Sequence, residues 1–133
     1  MARLILDTCV LVGAVRGRVD LADLSDEDDM ALPAVVVAEY LAGVRDANPR
    51  SVLQRAFLDE VLALVPIVDY DQGVAEHHAA LLAHVRDSGE PRGAHDLIIA
   101  ATARASGRTL VSTDKRARFD ELPGVTLRVL DVG

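Results

Sequence analysis

A helix followed by a strand, between residues 94 and 114, constrains the fold more than any other stretch of the chain. Its sequence, AHDLIIAATARASGRTLVSTD, begins with a run of apolar and small residues that is typical of a buried helix. Gly107 stands where a left-handed residue commonly ends a helix, and residues 109–111 form a short β-favouring run. Asp96 opens the predicted helix and Asp114 follows the predicted strand. The stretch therefore predicts a helix–strand unit with a carboxylate at the edge of each element.

The rest of the chain repeats this alternation of strand-like and helix-like stretches. Apolar runs predict strands at 3–6, 30–32, 66–68, 109–111 and 126–130. Helical spacing and end signals predict helices at 8–15, 33–46, 51–64, 71–88 and 96–106, a helical turn at 115–119, and a charged loop within 16–29. Pro33 is expected at the first position of the second helix, and the Asn48-Pro49 pair is expected to stop that helix. This alternation favours one α/β domain over residues 1–133, with a mostly parallel sheet of four or five strands and helices on both faces.

Composition limits the function classes. The chain has 133 residues, of which half are apolar but only 3% are aromatic, so the core must be aliphatic. Fourteen basic against 21 acidic residues leave a net charge of −7, which argues against nucleic-acid binding through a general basic surface. A nuclease whose acids are concentrated in a metal site remains compatible with that charge. A single cysteine excludes an internal disulfide and a cysteine-rich zinc site, and the absence of a membrane-spanning run or signal peptide makes the cytoplasm the expected location.

Four carboxylates are predicted to meet at one end of the sheet. Asp7 follows the first predicted strand, Asp114 follows the strand at 109–111, and Asp96 opens the helix before that strand. Ligands in open α/β sheets bind outside the carboxyl ends of the strands. Glu39 lies inside the apolar run VVVAEYLAGV, where a carboxylate is costly to bury unless it is paired or bound to a cation.

Each of these acids also has an ordinary structural explanation. Asp7 can be a helix cap, Asp96 a first-turn helix acid and Asp114 a turn residue. Glu39 can point to solvent. The functional interpretation rests on the four acids together, because all of them fall at the same end of the predicted sheet.

Mutual repulsion makes a cation necessary if the four acids share a pocket. At about 5 Å and an effective dielectric of about 20, each pair of carboxylates costs roughly 3 kcal/mol. Oxygen ligands suit Mg²⁺ or Mn²⁺ rather than zinc. Such ions can activate a water and stabilise the leaving oxygen during cleavage of a phosphodiester.

The motifs that carry these acids resemble PIN-domain ribonucleases, and specifically the VapC-type toxins of bacterial toxin–antitoxin pairs. The matching segments are LILDTCVLV, PAVVVAEYLAGV, GAHDLIIAATA and TLVSTD, in the family's order over most of the chain. The resemblance implies a PIN-like fold and a Mg²⁺- or Mn²⁺-dependent endoribonuclease that cleaves RNA. It further implies a homodimer, inhibition by a small VapB-like antitoxin, and no membrane association. Asp7, Glu39, Asp96 and Asp114 would be the catalytic, metal-binding carboxylates.

Two positions depart from the family pattern. The family commonly has Ser or Thr where this chain has Cys9, so a thiol replaces a possible supporting hydroxyl. The family often has an Asp before the phenylalanine that follows the fourth acid, whereas this chain has Arg118 there and Asp120 after Phe119. The second departure bears on the assignment of Asp114 and on the number of metals.

Several polar residues near the acids are further candidates. Hydroxyl groups at Thr8, Ser112 and Thr113 can orient ligands or substrate, although capping and turn roles explain them equally well. Basic residues that can hold RNA phosphates are Lys115, Arg116 and Arg118, with Arg16, Arg18 and Arg92 less supported; a solvated basic face is the alternative. The histidines lack an HExxH spacing, and His95 alone adjoins an acid of the predicted site. Cys9 is interpreted as buried packing.

Other functions leave some of these residues unexplained. A haloacid-dehalogenase-like phosphatase requires a second Asp where Cys9 stands. A response-regulator receiver can use the acids near Asp69 and Asp71, but it gives Glu39 no role. The remaining alternative is a catalytically inactive PIN-like module that binds only protein.

Overall fold

The computed structural model describes residues 2–24, 28–44 and 48–132 of the chain. Residues 25–27 of the charged loop predicted at 25–29, and the helix end predicted near Asp46, lie outside these ranges. Asp29, the last residue of that predicted loop, begins a strand instead. The strands are β1 (Arg3–Leu6), β2 (Asp29–Pro33), β3 (Ile67–Val68), β4 (Thr109–Ser112) and β5 (Leu127–Val129). The helices are α1 (Thr8–Val15), α2 (Ala34–Ala42), α3 (Pro49–Leu64), α4 (Gln72–Ser88) and α5 (Ala94–Ser106), with short 3-10 turns at Leu21–Asp23 and Phe119–Glu121.

The strands form one parallel sheet in the order β3-β2-β1-β4-β5. The predicted α/β fold is therefore confirmed, and the sheet has five strands. From β1 the chain moves outward to β2 and β3, and it then returns to the other side of β1 to form β4 and β5. The direction of winding reverses between β1 and β4, and such a switch point leaves a crevice outside the carboxyl ends of the two strands.

The middle of the sheet is wholly apolar. Leu4, Ile5 and Leu6 of β1 are at most 1% exposed, and Leu110 and Val111 of β4 are fully buried. Central strands of a parallel sheet are covered on both faces, so consecutive rather than alternate residues are apolar. The β1 and β4 ends, where the crevice lies, are thus anchored in the best-packed part of the protein.

Helix α5 packs against the sheet through a buried face that includes three alanines. It packs against α4 and α2 and against β2 and β4. The buried residues of this helix are Leu97, Ile99, Ala100, Ala101, Thr102 and Ala103. Gly107 ends the helix with a φ of 65°, as predicted, because a residue without a Cβ adopts this left-handed conformation without strain. The close packing fixes the first turn of α5 relative to the sheet.

Several predicted boundaries are wrong by a few residues. Pro33 ends β2 with a ψ of 142° instead of opening α2. Helix α2 ends at Ala42, where the Gly43 amide turns back to the Tyr40 carbonyl at 3.1 Å, in keeping with the low helix propensity of glycine. The Asn48-Pro49 pair begins α3 rather than merely stopping α2: the Asn48 side chain accepts a hydrogen bond from the Ser51 amide at 2.9 Å.

Two further differences lie near the predicted site. Helix α5 begins at Ala94, so Asp96 lies within its first turn instead of opening it. The basic segment at 115–118 is a turn, and the helical residues follow it as the 3-10 turn at 119–121. Arg118 interrupts the helix because its φ is 50°, outside the helical region. In the described part of the chain, no helix is both long enough and apolar enough to span a bilayer.

Candidate metal-binding site

Asp7 lies at the carboxyl end of β1 and is 6% exposed. Its Oδ1 accepts a hydrogen bond of 2.8 Å from the Thr8 amide, so Asp7 caps α1. Its Oδ2 accepts a 2.8 Å hydrogen bond from the Ser112 hydroxyl and a 3.3 Å hydrogen bond from the Cys9 thiol. Its amide donates to the Val111 carbonyl at 2.9 Å, which joins the end of β1 to β4. The capping role and the predicted site position therefore coincide in one carboxylate of fixed orientation.

Glu39 extends from α2 toward the same crevice, and its side chain is 29% exposed. Its Oε1 accepts a 2.7 Å hydrogen bond from the Thr8 hydroxyl. Its Oε2 is 3.2 Å from Nδ1 of His95, a residue of α5 whose side chain is 60% exposed. Each carboxylate oxygen is thereby bonded to a residue of a different helix, while the side chain stays partly exposed to solvent. His95 is the residue that sequence reasoning left least defined, since its only signal was its position beside Asp96.

Asp96 is partly buried in the first turn of α5. No hydrogen bond reaches its carboxylate from any described residue. A Cβ at Gly93 would lie 3.0 Å from Oδ2 of Asp96, so a side chain at Gly93 would press against this carboxylate. A surface cavity of about 350 Å³ opens here, lined by Glu39, Gly93, Ala94, His95 and Asp96.

Asp114 is the most exposed of the four acids. Its Oδ1 accepts hydrogen bonds from the amides of Arg116 at 2.9 Å and Ala117 at 3.3 Å, which is the turn role considered from the sequence. Its amide donates to the Ser112 hydroxyl at 3.0 Å, and the same hydroxyl donates to Asp7. The fully buried Ser112 thus joins the ends of β1 and β4.

Two of the four acids, Asp7 and Asp96, have a raised pKa. Burial raises the pKa of Asp96 above its ordinary value, and the charges of Asp7, Asp114 and Glu39 raise that pKa further, against the opposing effect of His95. Burial also raises the pKa of Asp7, with a smaller contribution from Glu39, although the hydrogen bonds to Asp7 oppose the shift. Ionisation of Asp7 and Asp96 is therefore less favourable here than in water, and a cation bound nearby would favour it.

The donor chemistry of the site fits a hard divalent cation. Its acids offer oxygen ligands, which Mg²⁺ and Mn²⁺ prefer, and their shared charge is what a cation relieves. Among the described residues, no three His, Cys, Asp or Glu side chains are gathered as ligands of one ion. If these four acids bind one ion, their side chains must rotate toward it. Asp96 can rotate without breaking a hydrogen bond to any described residue.

Cys9 bonds within this site and does not only pack. Its thiol donates to Asp7, contacts the Ser112 hydroxyl at 3.4 Å, and accepts a 3.3 Å hydrogen bond from the Thr113 amide. Burial, followed by the charge of Asp7, raises the pKa of Cys9, so the sulfur keeps its proton as a donor. A thiol therefore occupies the hydrogen-bonding position expected of a hydroxyl.

The basic residues near the acids fall into two groups. Arg92 is 8% exposed and donates to the carbonyls of Ala117 at 2.7 Å and Arg118 at 2.8 Å, so it supports the 115–118 turn and is not free for phosphate. Arg118 points to Glu90 and Glu121, each at 3.4 Å. Lys115 and Arg116 remain exposed beside Asp114, with Lys115 3.9 Å from the exposed Asp131.

Fold and site together define an α/β domain with carboxylates around the switch point of a parallel sheet. Residues 4–125 match the family model described as PIN domain. The chain belongs to the PIN-domain family, and the predicted resemblance is confirmed.

Proteins similar to this chain are ribonucleases by name. It is 26% identical over 133 residues to a protein named ribonuclease VapC from Rickettsia bellii, covering 96% of this chain and 98% of that protein. It is also 26% identical to the tRNA(fMet)-specific endonuclease VapC of Shigella flexneri, covering 94% of this chain and 96% of that protein. In structure it resembles VapBC2 of Rickettsia felis bound to a promoter DNA fragment, with a TM-score of 0.85, 25% identity, and coverage of 97% of this chain and 99% of that chain.

Proposed function

We propose that this protein is a divalent-metal-dependent endoribonuclease of the VapC type, the toxin of a toxin–antitoxin pair. The observation that carries the proposal is the hydrogen-bond network at the switch point of a PIN-domain sheet: Thr8 joins Asp7 to Glu39, and Ser112 joins Asp7 to Asp114. Asp96 lines one cavity with Glu39 beside this network. Burial of mutually repelling carboxylates is unfavourable and is tolerated where a cation neutralises them. Relatives named ribonuclease and endonuclease over nearly the whole chain support the reaction class.

In this proposal Asp7, Glu39, Asp96 and Asp114 hold Mg²⁺ or Mn²⁺. When bound, such an ion supplies a water of lowered pKa and stabilises charge on the leaving oxygen. Asp7, Glu39 and Asp114 are the pre-oriented members, because hydrogen bonds already restrict their carboxylates. Asp96 is the adjustable member.

Residues around the acids orient those ligands or the substrate. Ser112 and Cys9 direct Oδ2 of Asp7, and Thr8 directs Oε1 of Glu39. Lys115 and Arg116 present exposed cations beside Asp114, where they can hold phosphates of the RNA, with the Thr113 hydroxyl as a further contact.

The proposed inhibitor is a small VapB-like antitoxin. The similar Rickettsia felis protein is found in a VapBC2 assembly bound to promoter DNA, which supports a partner of this kind. A net charge of −7 and a carboxylate cluster favour a partner with a basic segment near the site. The cytoplasm, where RNA and such a partner are found, is the proposed location.

Cleavage of total cellular RNA by the purified protein tests this proposal. Discrete fragments are expected with Mg²⁺ or Mn²⁺ and not with EDTA, and Asp96→Asn is expected to abolish them. Asp87→Asn, which removes an exposed acid of α4, is the matched control and should cleave like the unchanged protein. No metal-dependent cleavage by a folded, Mn²⁺-binding protein would favour the protein-binding alternative.

A further inference from the structure

A second cavity, of about 220 Å³, lies beside the candidate metal site. Cys9 and Thr113 line one part of it, and Arg16 and Arg18, which follow α1, line another. None of the described residues that line it is acidic. This volume is below the range of about 300–1,000 Å³ typical of pockets for whole small molecules, so it suits a group of the size of a phosphate.

The backbone after α1 holds the two arginines at this cavity. The amides of Arg18 and Val19 both donate to the Gly13 carbonyl, at 2.8 and 3.1 Å. A Cβ at Gly13 would lie 2.6 Å from Cγ2 of Val19, so the chain folds back this closely only over a glycine. Gly17 makes the turn with a φ of 74°. The arginines therefore extend from a defined turn rather than from a freely placed loop.

No described carboxylate neutralises either guanidinium. Within the ranges that the structure describes, Arg16 and Arg18 form no salt bridge, whereas Arg55, Arg92 and Arg108 each pair with a carboxylate. The whole chain has a net charge of −7, but the described lining of this cavity has two arginines and no acid. Such a local positive charge favours binding of an anion. Guanidinium groups match phosphate oxygens in geometry as well as in charge.

The side chain of Cys9 lies between this cavity and Asp7 of the candidate metal site. Cys9 lines the cavity, and its sulfur is 3.3 Å from Oδ2 of Asp7. Thr113 lines it and immediately precedes Asp114. An anionic polymer that crosses the acids has its next backbone groups close to this cavity, and a nucleic acid carries a phosphate at every nucleotide.

We propose that Arg16 and Arg18 form a subsite for a backbone phosphate of the substrate RNA, next to the phosphate that is cleaved. This subsite rests on the proposed ribonuclease function. It explains how an acidic protein holds a polyanion: the metal-neutralised carboxylates face one phosphate of the RNA, and the two arginines bind the next phosphate.

The test compares Arg16→Gln/Arg18→Gln with Arg50→Gln/Arg86→Gln, a control that removes the same charge from exposed positions on α3 and α4. Both pairs are made in the otherwise unchanged protein, which keeps its metal site complete. Ca²⁺ replaces Mg²⁺ to suppress cleavage, and a gel verifies that no RNA is cut during binding of a fluorescein-labelled oligouridylate. Its Kd is measured over a series of salt concentrations. Melting temperature and Mn²⁺ binding, measured in the otherwise unchanged protein, show that fold and metal site are intact.

We expect the Arg16/Arg18 variant to bind about tenfold more weakly than the control. The slope of log K against log salt should become shallower by about 0.7, the value for one lost phosphate contact on a single strand. An affinity and slope equal to those of the control would overturn the subsite. So would arginine-dependent binding of poly-glutamate with unchanged binding of RNA, because the cavity would then serve an acidic protein segment.

Failure of the subsite and failure of the ribonuclease function give different results. If the protein cleaves RNA and its KM is unaffected by Arg16→Gln/Arg18→Gln, the subsite is wrong and the function stands. If RNA is bound through these arginines but is never cut with any metal, the binding subsite stands and the nuclease function is wrong.

Discussion

Asp7 and Asp96 are two acids of one candidate site with opposite surroundings. Asp7 is buried, and its carboxylate accepts hydrogen bonds from Thr8, Ser112 and Cys9. Asp96 is partly buried, and no described residue donates to its carboxylate. The pKa of both is raised. The difference indicates that the protein orients Asp7 in advance. In the proposed site, a cation would relieve the charge of Asp96.

Removal of either charge should have the largest effect, on catalysis. Loss of a metal ligand removes several kcal/mol of transition-state stabilisation, so Asp96→Asn and Asp7→Asn should each lower kcat/KM by at least about a thousandfold. Single-turnover cleavage of an RNA recovered as a substrate measures this effect. Near-normal activity of either variant would remove that residue from the site.

The hydrogen-bond network around Asp7 should matter next. Ser112→Ala removes the donor 2.8 Å from Asp7 and the acceptor of the Asp114 amide, so Mn²⁺ affinity should fall about 10- to 100-fold. Calorimetry of Mn²⁺ binding measures the loss. Ser106→Ala is the matched control, because that hydroxyl donates to backbone carbonyls within α5. Equal affinity of the two variants would contradict an orienting role for Ser112.

The thiol should contribute less than the serine because its hydrogen bond to Asp7 is longer and weaker. Cys9→Ala should lower Mn²⁺ affinity by about threefold, which corresponds to the lower range for one hydrogen bond. Cys9→Ser should retain or increase the affinity, since a hydroxyl donates more strongly. A Cys9→Ser variant that binds as poorly as Cys9→Ala would show that the sulfur acts through packing alone.

An effect smaller than those on catalysis and on metal binding by the Ser112 variant is expected on the stability of the metal-free protein. Because the folded-state pKa of Asp96 lies above 3.8, the folded protein holds this proton more tightly than the unfolded chain. The contribution of Asp96 to stability is therefore present at low pH and is lost as pH rises through the folded-state pKa. In EDTA at neutral pH, Asp96→Asn should raise stability by on the order of 1 kcal/mol, or about 4 °C in Tm.

Asp7→Asn should stabilise the metal-free protein less, since it disturbs the hydrogen bonds that Thr8, Ser112 and Cys9 donate to Asp7. Thermal melts in EDTA between acid and neutral pH compare the two variants with the unchanged protein. A lower Tm for Asp96→Asn at neutral pH would mean that its charge is not repelled by the other acids.

Local patterns predicted much of the fold, and they predicted that Asp7 and Asp114 follow buried strands. The apolar runs at β1 and β4 and the glycine after α5 are signals contained in neighbouring residues, and each was found from the sequence. The sequence does not predict the boundaries of α2 and α5 because their end signals are weak. A single glycine such as Gly43 does not always end a helix, and Gly93, the residue before α5, provides no side-chain cap.

Contacts between distant residues were beyond the sequence. The bonds from Thr8 to Glu39 and from Ser112 to Asp7 join residues 31 and 105 positions apart, and their partners depend on strand order and helix placement. Arg92 was considered for phosphate binding on its charge alone, but tertiary folding buries it against backbone carbonyls. The cavity beside Arg16 and Arg18 likewise forms only when the turn after α1 packs near β4.

Mn²⁺ binding measured by isothermal titration calorimetry tests the central claim most directly: that carboxylates at the β1 and β4 ends form one cation site. The unchanged protein and Asp87→Asn should bind Mn²⁺ with the same affinity, and Asp7→Asn and Asp96→Asn should each lose that binding. Absence of Mn²⁺ binding by the unchanged protein, or equal binding by Asp96→Asn, would contradict the claim.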